Sequence, residues 1–213
     1  QPQIKVDTGQ LVGAEALARW EHPEYGLLGA STLFAVAERA GVMESLSAQI
    51  HKQALTLAAG WPKSLGFLRL SINVTAGDLA FSAFDDKMKK QVANAGFEPH
   101  RLTLEITESE LIGNLTASAA MLQRLRAAGV RIAIDDFGTG YRSLSYLKKL
   151  PVDYLKIDSG LTGDISGSAK DQVVVRSIID MAHSLDLSVI AEGVETEGQL
   201  EALAELGCEY FQG

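Results

Sequence analysis

Cysteine is almost missing from this sequence: Cys208 is the only one in 213 residues. One thiol can form neither an internal disulfide nor a paired-cysteine zinc knuckle, so a disulfide scaffold is excluded. A reducing compartment, and with it a cytoplasmic location, is expected. Proline is scarce too, five in all, and aromatic residues make up 7%, which excludes collagen-like and proline-rich architectures. No window approaches the roughly 18 consecutive apolar residues of a membrane helix, and no leader pattern opens the chain, so no membrane contact is expected in this segment. Basic residues are outnumbered, 19 Lys and Arg against 27 Asp and Glu for a net charge of −8, which argues against bulk nucleic acid as a partner. The 46% apolar content that remains can build a substantial core without staples. The start at Gln1 and the stop at Gly213, directly after an apolar segment, give the expectation of a single domain over 1–213. That domain would be cut from a longer chain and truncated at its C-terminal end.

Short β-branched and apolar runs alternate with stretches of helical period. Strands are predicted at 67–73, 101–106, 130–135, 153–157, 188–192 and 208–212. Segments 4–6 and 10–19 flank the turn signal Asp7-Thr8-Gly9 and are predicted to form an opening antiparallel hairpin. Helices are predicted at 33–40, 46–59, 87–95, 117–128, 143–149, 172–185 and 197–206, and 159–169 reads as a loose linker. Eight strands alternating with helices in about 210 residues predict an α/β fold, a TIM-like (β/α)8 barrel, with a doubly wound sheet as the alternative.

Polar residues recur at the carboxyl ends of these strands, where barrel enzymes keep their chemistry. They are Asn73, Glu105, Asp135 with Asp136, Lys156, Glu192 and Gln212. Glu15 and Arg19 lie four apart in a predicted extended segment, hence on one face with Leu17 between them. If the barrel closes, several carboxylates meet at one mouth, and two of them about 4 Å apart repel by roughly 4 kcal/mol at an effective dielectric near 20. Such a cluster needs cations, and an all-oxygen donor set selects Mg2+ or Mn2+ over zinc. The adjacent pair Asp135-Asp136 can give one carboxylate to each of two ions, the usual device for in-line phosphodiester hydrolysis. Plainer readings exist: an Asp N-cap at 135–136, a turn-forming Asn73, and a Lys156–Glu192 ion pair across strand ends. His22, His51, His100 and His183 lack metal-ligand spacing and are given surface or packing roles.

The chain resembles the bacterial cyclic-di-GMP phosphodiesterases of the EAL type. The motifs that carry the resemblance are Glu15-Ala16-Leu17-Ala18-Arg19-Trp20, Ser71-Ile72-Asn73-Val74-Thr75, Glu105-Ile106-Thr107-Glu108, Asp135-Asp136-Phe137-Gly138-Thr139-Gly140-Tyr141, Lys156-Ile157-Asp158, Ala191-Glu192-Gly193-Val194-Glu195 and Gln212-Gly213. The resemblance implies a barrel whose first strand is antiparallel and hydrolysis of cyclic-di-GMP to linear pGpG by a water activated between two divalent ions. It implies Glu15, Asn73, Glu105 and Asp135 on one metal, and Asp135, Asp136 and Glu192 on the other. Lys156, Glu192 and Asp136 would be catalytic; Gln1, Leu17, Arg19, Glu195 and Gln212 would meet substrate. Glu108, Gly138, Thr139 and Gly140 would support the loop after Asp136. A homodimer is implied as well, and sensory or diguanylate-cyclase-like domains are expected elsewhere in the full-length chain. Departures such as Ser159-Gly160-Leu161 after Lys-Ile-Asp touch no metal position. The alternatives are a catalytically silent receptor for the same dinucleotide and an enolate-stabilising barrel enzyme; the presence of every matched metal position and the lysine favours the phosphodiesterase.

Overall fold

The structure, a computed structural model, describes residues 1–112, 115–138 and 147–213. In chain order its elements are β1 (Pro2–Lys5), β2 (Leu11–Ala16), β3 (Arg19–His22), β4 (Gly26–Gly29), α1 (Ala30–Ala40), α2 (Met43–Ala59), β5 (Arg69–Asn73), α3 (Ala76–Ala80) and α4 (Phe84–Ala95). There follow β6 (Leu102–Thr107), α5 (Leu115–Ala127), β7 (Arg131–Phe137), β8 (Tyr154–Ile157), α6 (Ser159–Thr162), α7 (Ala169–Ser184), β9 (Ser188–Ala191), α8 (Glu197–Glu205) and β10 (Tyr210–Phe211).

Eight of the strands close into a barrel in the order β1-β10-β9-β8-β7-β6-β5-β2. The pairs from β2 through β5 and on to β10 are parallel, while β1 is antiparallel to both its neighbours, as expected. Alternation along each strand divides two environments. Leu70 and Ile72 of β5, Leu102, Leu104 and Ile106 of β6, and Ile132 and Ile134 of β7 belong to one apolar cluster with α2, α4, α5 and α7 residues, between barrel and helices. Their alternates Ser71, Thr103, Glu105, Asp135 and Lys156 are buried too, although polar. The barrel interior is thus the more polar half of the pattern, and it also holds a small separate apolar cluster of Ala133, Tyr154 and Ile190.

Three predictions needed correction. The segment 10–19 is not one strand: β2 stops at Ala16, and Arg19 begins a separate hairpin, β3–β4, that the sequence reading did not contain. Two extended segments flanking a tight loop pair with each other rather than prolong β2. The supposed linker 159–169 is ordered: Asp158 caps α6 by accepting from the Gly160 amide, and Thr162 and Ile165 are fully buried. Its glycines and small polar residues serve caps and turns. In the helix predicted at 143–149, residues 143–146 lie outside the described residues, and Leu147–Lys149 form a single 3-10 turn.

Candidate active site

At the carboxyl end of the barrel five strands deliver side chains to one point. Lys156 Nζ, fully buried, lies 2.6 Å from Glu105, 2.7 Å from Glu192, 3.1 Å from Asp135 and 3.4 Å from Glu15. Gln212 Nε2 donates to Glu15 Oε2 at 2.8 Å and to Glu192 Oε1 at 3.0 Å. Asn73 Nδ2 donates to Glu15 Oε1 at 2.8 Å, which leaves its Oδ1 as the atom able to meet a cation. A cavity of about 340 Å³ opens above, lined in part by Gln1, Leu17, Asn73, Asp135, Ser159 and Gln212.

Adjacent strand residues point to opposite faces, so Asp135 and Asp136 can share a site only if the strand is broken. It is: the register of β7 against β8 shifts between Ile134 and Phe137, and Asp136 has φ +53°, a left-handed conformation that Asp tolerates better than most residues. Oxygens of Asp135, Asp136 and Glu192 then come within 4.8 Å of one another, as do those of Glu15, Glu105 and Asp135, so two carboxylate triads share Asp135.

The electrostatics follow from burial. Burial pushes Glu105 up to about 8 against the pull of Lys156, with Glu15 and Asp135 adding to the rise. Glu192 and Asp136 are also raised by burial, Asp136 further by Asp135. Burial acts on Glu15 the same way, but Lys156, Gln212 and Asn73 outweigh it and hold this carboxyl below the usual range. On Lys156 the opposing effects of burial and four carboxylates end well above the ordinary lysine value. Among the described residues one ammonium serves five carboxylates, and the surplus negative charge, presented wholly on oxygen, fits hard divalent cations.

The family model described as "EAL domain" matches residues 1–213. The chain belongs to the EAL family. The chain is 37% identical over its whole length to the "Bifunctional diguanylate cyclase/cyclic di-GMP phosphodiesterase MucR" of Pseudomonas aeruginosa, and spans 31% of that protein. The solved structure "PaMucR Phosphodiesterase, c-di-GMP complex" superposes with a TM-score of 0.93 at 37% identity, covering all of this chain and 87% of the other. The "Klebsiella pneumoniae BlrP1 pH 6 manganese/cy-diGMP complex" gives 0.88 at 32% identity, covering all of this chain and 53% of the other. With both the acidic triads of this EAL domain and a manganese-containing neighbour in hand, the donor set is one for divalent metal.

Of the residues singled out from sequence, Glu15, Asn73, Glu105, Asp135, Asp136, Lys156, Glu192 and Gln212 come together. Gln1 joins them at the rim, its backbone paired with that of Glu15, and Leu17 lines the same cavity. Arg19 does not: it sits beyond the break after β2, exposed, donating to the Ala18 carbonyl, so it shares no strand face with Glu15. Glu195 is exposed beside the capping box of α8, where its backbone amide meets Gln199. Glu108 lies in the turn after β6, and there Glu110 accepts the Thr107 amide. Gly138 has φ +106° and lies close against Leu161, whereas Thr139 and Gly140 lie outside the described residues.

Two contributors were missed. Gln3, 2% exposed on β1, donates toward Glu105, Ser71 and Gln212 at 3.2–3.4 Å. The available signal was its register, since Gln1, Gln3 and Lys5 alternate with Pro2 and Ile4. Thr162 of α6 donates its hydroxyl to the Glu192 carbonyl from behind the site, a contact that reading 159–169 as a linker concealed.

Proposed function

We propose that this EAL domain hydrolyses one phosphodiester of cyclic-di-GMP to give linear pGpG, using two divalent ions, Mg2+ or Mn2+, at the mouth of its barrel. The observation that carries the reading is the pair of carboxylate triads sharing Asp135, with Lys156 among them. Glu15, Asn73, Glu105 and Asp135 would hold one ion, and Asp135, Asp136 and Glu192 the other. When bound, such ions supply a water ionised at neutral pH and neutralise charge at the phosphate.

The chain's own groups do the rest. Lys156, kept protonated by its carboxylates, holds a positive charge beside the attack site and can donate a hydrogen bond to the incoming oxygen or the phosphoryl group. Gln212, fixed by Gln3, aligns Glu15 with Glu192. Gln1 and Leu17 form the part of the cavity open to a nucleotide, while the substrate roles given to Arg19 and Glu195 require a contact made on the bound molecule. The glycine at 138 lets the chain turn directly after the aspartate pair, and Glu108 would brace that loop.

A cytoplasmic site fits the single, buried thiol of Cys208. Among the described residues no helix is long and apolar enough to cross a membrane. The span of 31% of the bifunctional MucR supports a further, cyclase-like domain in the full-length protein; sensory domains and a homodimer stay part of the proposal. The deciding experiment is a divalent-ion titration of cyclic-di-GMP cleavage with identification of the product. Ion-dependent release of pGpG is expected; nucleotide binding without cleavage at saturating Mg2+ and Mn2+ would make the domain a receptor instead.

A further inference from the structure

Behind the site, α2 sends two buried polar side chains inward one turn apart, Ser47 and His51, each 2% exposed. His51 Nε2 lies 2.9 Å from the carbonyl oxygen of Asn73 and 3.4 Å from Ser47 Oγ. Ser47 Oγ donates to Asp78 Oδ2 at 2.6 Å. Asp78 in turn accepts from the Thr75 amide and hydroxyl at 3.0 and 2.8 Å, in the capping box that starts α3. A carbonyl can only accept, so Nε2 carries the proton and donates it to the Asn73 carbonyl oxygen. The trio has the residue types of a nucleophilic triad but not its order: the aspartate bonds the serine rather than the histidine, and all three are closed off from solvent.

Three buried polar side chains, with the His51 ring edge-on to Phe84, are costly to bury unless their bonds accomplish something. The pairing of β2 with β5 ends at Ala16 and Ile72, so Asn73 stands one residue beyond that ladder. On the other side the Val74 amide still bonds the Glu105 carbonyl. His51 therefore holds the strand end just where β2 no longer does, and Asp78 pins Thr75 two residues on. We propose that His51, buttressed by Ser47 and Asp78, is a positioning residue that fixes the Asn73 backbone so that its amide meets Glu15 and a divalent ion.

This inference rests on the metal reading of the mouth, and the test separates the two. Mn2+ binding is measured by calorimetry on wild type, His51→Leu and His51→Gln, and again on His51→Leu in an Asn73→Ala background. Outer partners of metal ligands typically contribute 10–100-fold in affinity, so His51→Leu should weaken Mn2+ binding about 10-fold. Glutamine, which can return an N–H near Nε2, should restore it. In the Asn73→Ala background the leucine should cost nothing further, because the effect passes through that side chain. Wild-type affinity in His51→Leu, the same loss in His51→Gln, or an undiminished loss in the Asn73→Ala background would each overturn the positioning role alone. A wild type that takes up no Mn2+ would overturn the metal reading, and the positioning role with it. If His51→Leu fails to fold, Ser47→Ala must weaken Mn2+ binding in the same direction, and no change there overturns the proposal.

Discussion

The two mouths of the barrel are made by the same strands under the same alternation, yet they treat charge in opposite ways. At the amino end Arg69 packs against two rings, its guanidinium 5.1 Å from the ring centre of Tyr154 and 4.8 Å from that of Tyr210, and it donates to the Tyr154 hydroxyl. Arg131 also lies over the Tyr154 ring, 5.9 Å from its centre, and the two tyrosine rings meet edge to face. Each charge there has a local, soft partner. At the carboxyl end one lysine faces four carboxylates within 3.4 Å, with Asp136 close by. The first arrangement is complete in itself; the second is complete only with additional positive charge. The difference teaches where stability and function part: satisfied polar layers hold the barrel, and the oversupplied one is kept for what it binds.

The largest expected effect attacks the oversupplied mouth. Asp135→Asn removes the carboxylate common to both triads, and hydrolysis of cyclic-di-GMP at saturating Mg2+ should fall by well over the roughly 100-fold typical of outer partners. The metal-free protein should unfold at the same or a higher temperature, because a like charge has gone. Unchanged turnover would reject the metal assignment. Next comes Lys156→Met, which leaves buried carboxylates without the one cation that pairs with them among the described residues. A loss of about 3 kcal/mol is expected from urea unfolding in chelator, with part regained on adding Mn2+. A metal-free variant as stable as wild type would mean that the lysine does not balance the cluster.

These two mouths were not equally readable. The ligands of the carboxyl end were legible because chemistry demands particular residue types at strand ends, and Asp135-Asp136 after an apolar run has few structural excuses. The barrel itself followed from alternation and count. What escaped were features set by tertiary context. The break after Ala16 has no strong turn signal, so Arg19 was placed on a face it does not share. Segment 159–169 looked loose by composition although Thr162 and Ile165 pack fully. Nothing in the spacing of Ser47 and His51 tells that α2 would rest on the end of β5. The amino-end cluster was equally silent, since Arg69, Tyr154 and Tyr210 are separated by 85 and 56 positions and meet only through closure.

The satisfied mouth offers the converse perturbation. Arg69→Met removes the cation packed against two rings and the bond to Tyr154, and about 1–2 kcal/mol should be lost in urea unfolding. Turnover at saturating metal should stay near wild type, because the partners of Arg69, Tyr154 and Tyr210, lie at the opposite mouth. A fall in turnover comparable with that of Asp135→Asn would erase the distinction between the mouths.

The smallest effect comes from an ion pair that belongs to neither mouth and sharpens the contrast through pH. Asp85 on α4 accepts from Arg124 Nε at 2.7 Å and from Lys89 at 3.3 Å, and Arg124 above all holds its carboxyl below the ordinary 3.8. A carboxyl lowered in the folded state adds stability that is present above its unfolded value and is lost as pH falls through the folded one. Glu105 is the reverse case: raised to about 8 without metal, it favours the folded state below its unfolded value of 4.5, and that contribution disappears as pH rises toward 8. Metal-free stability, followed by urea unfolding across this range, should therefore decline on both sides of a mildly acidic maximum. Because Arg124 and Lys89 are 51% and 35% exposed, Asp85→Asn should cost no more than about 1 kcal/mol and flatten the acid limb only. Glu105→Gln should flatten the neutral limb only. If Asp85→Asn altered the neutral limb, or Glu105→Gln left it unchanged, the carboxylates of the mouth would not be the groups that set it apart from the rest of the molecule.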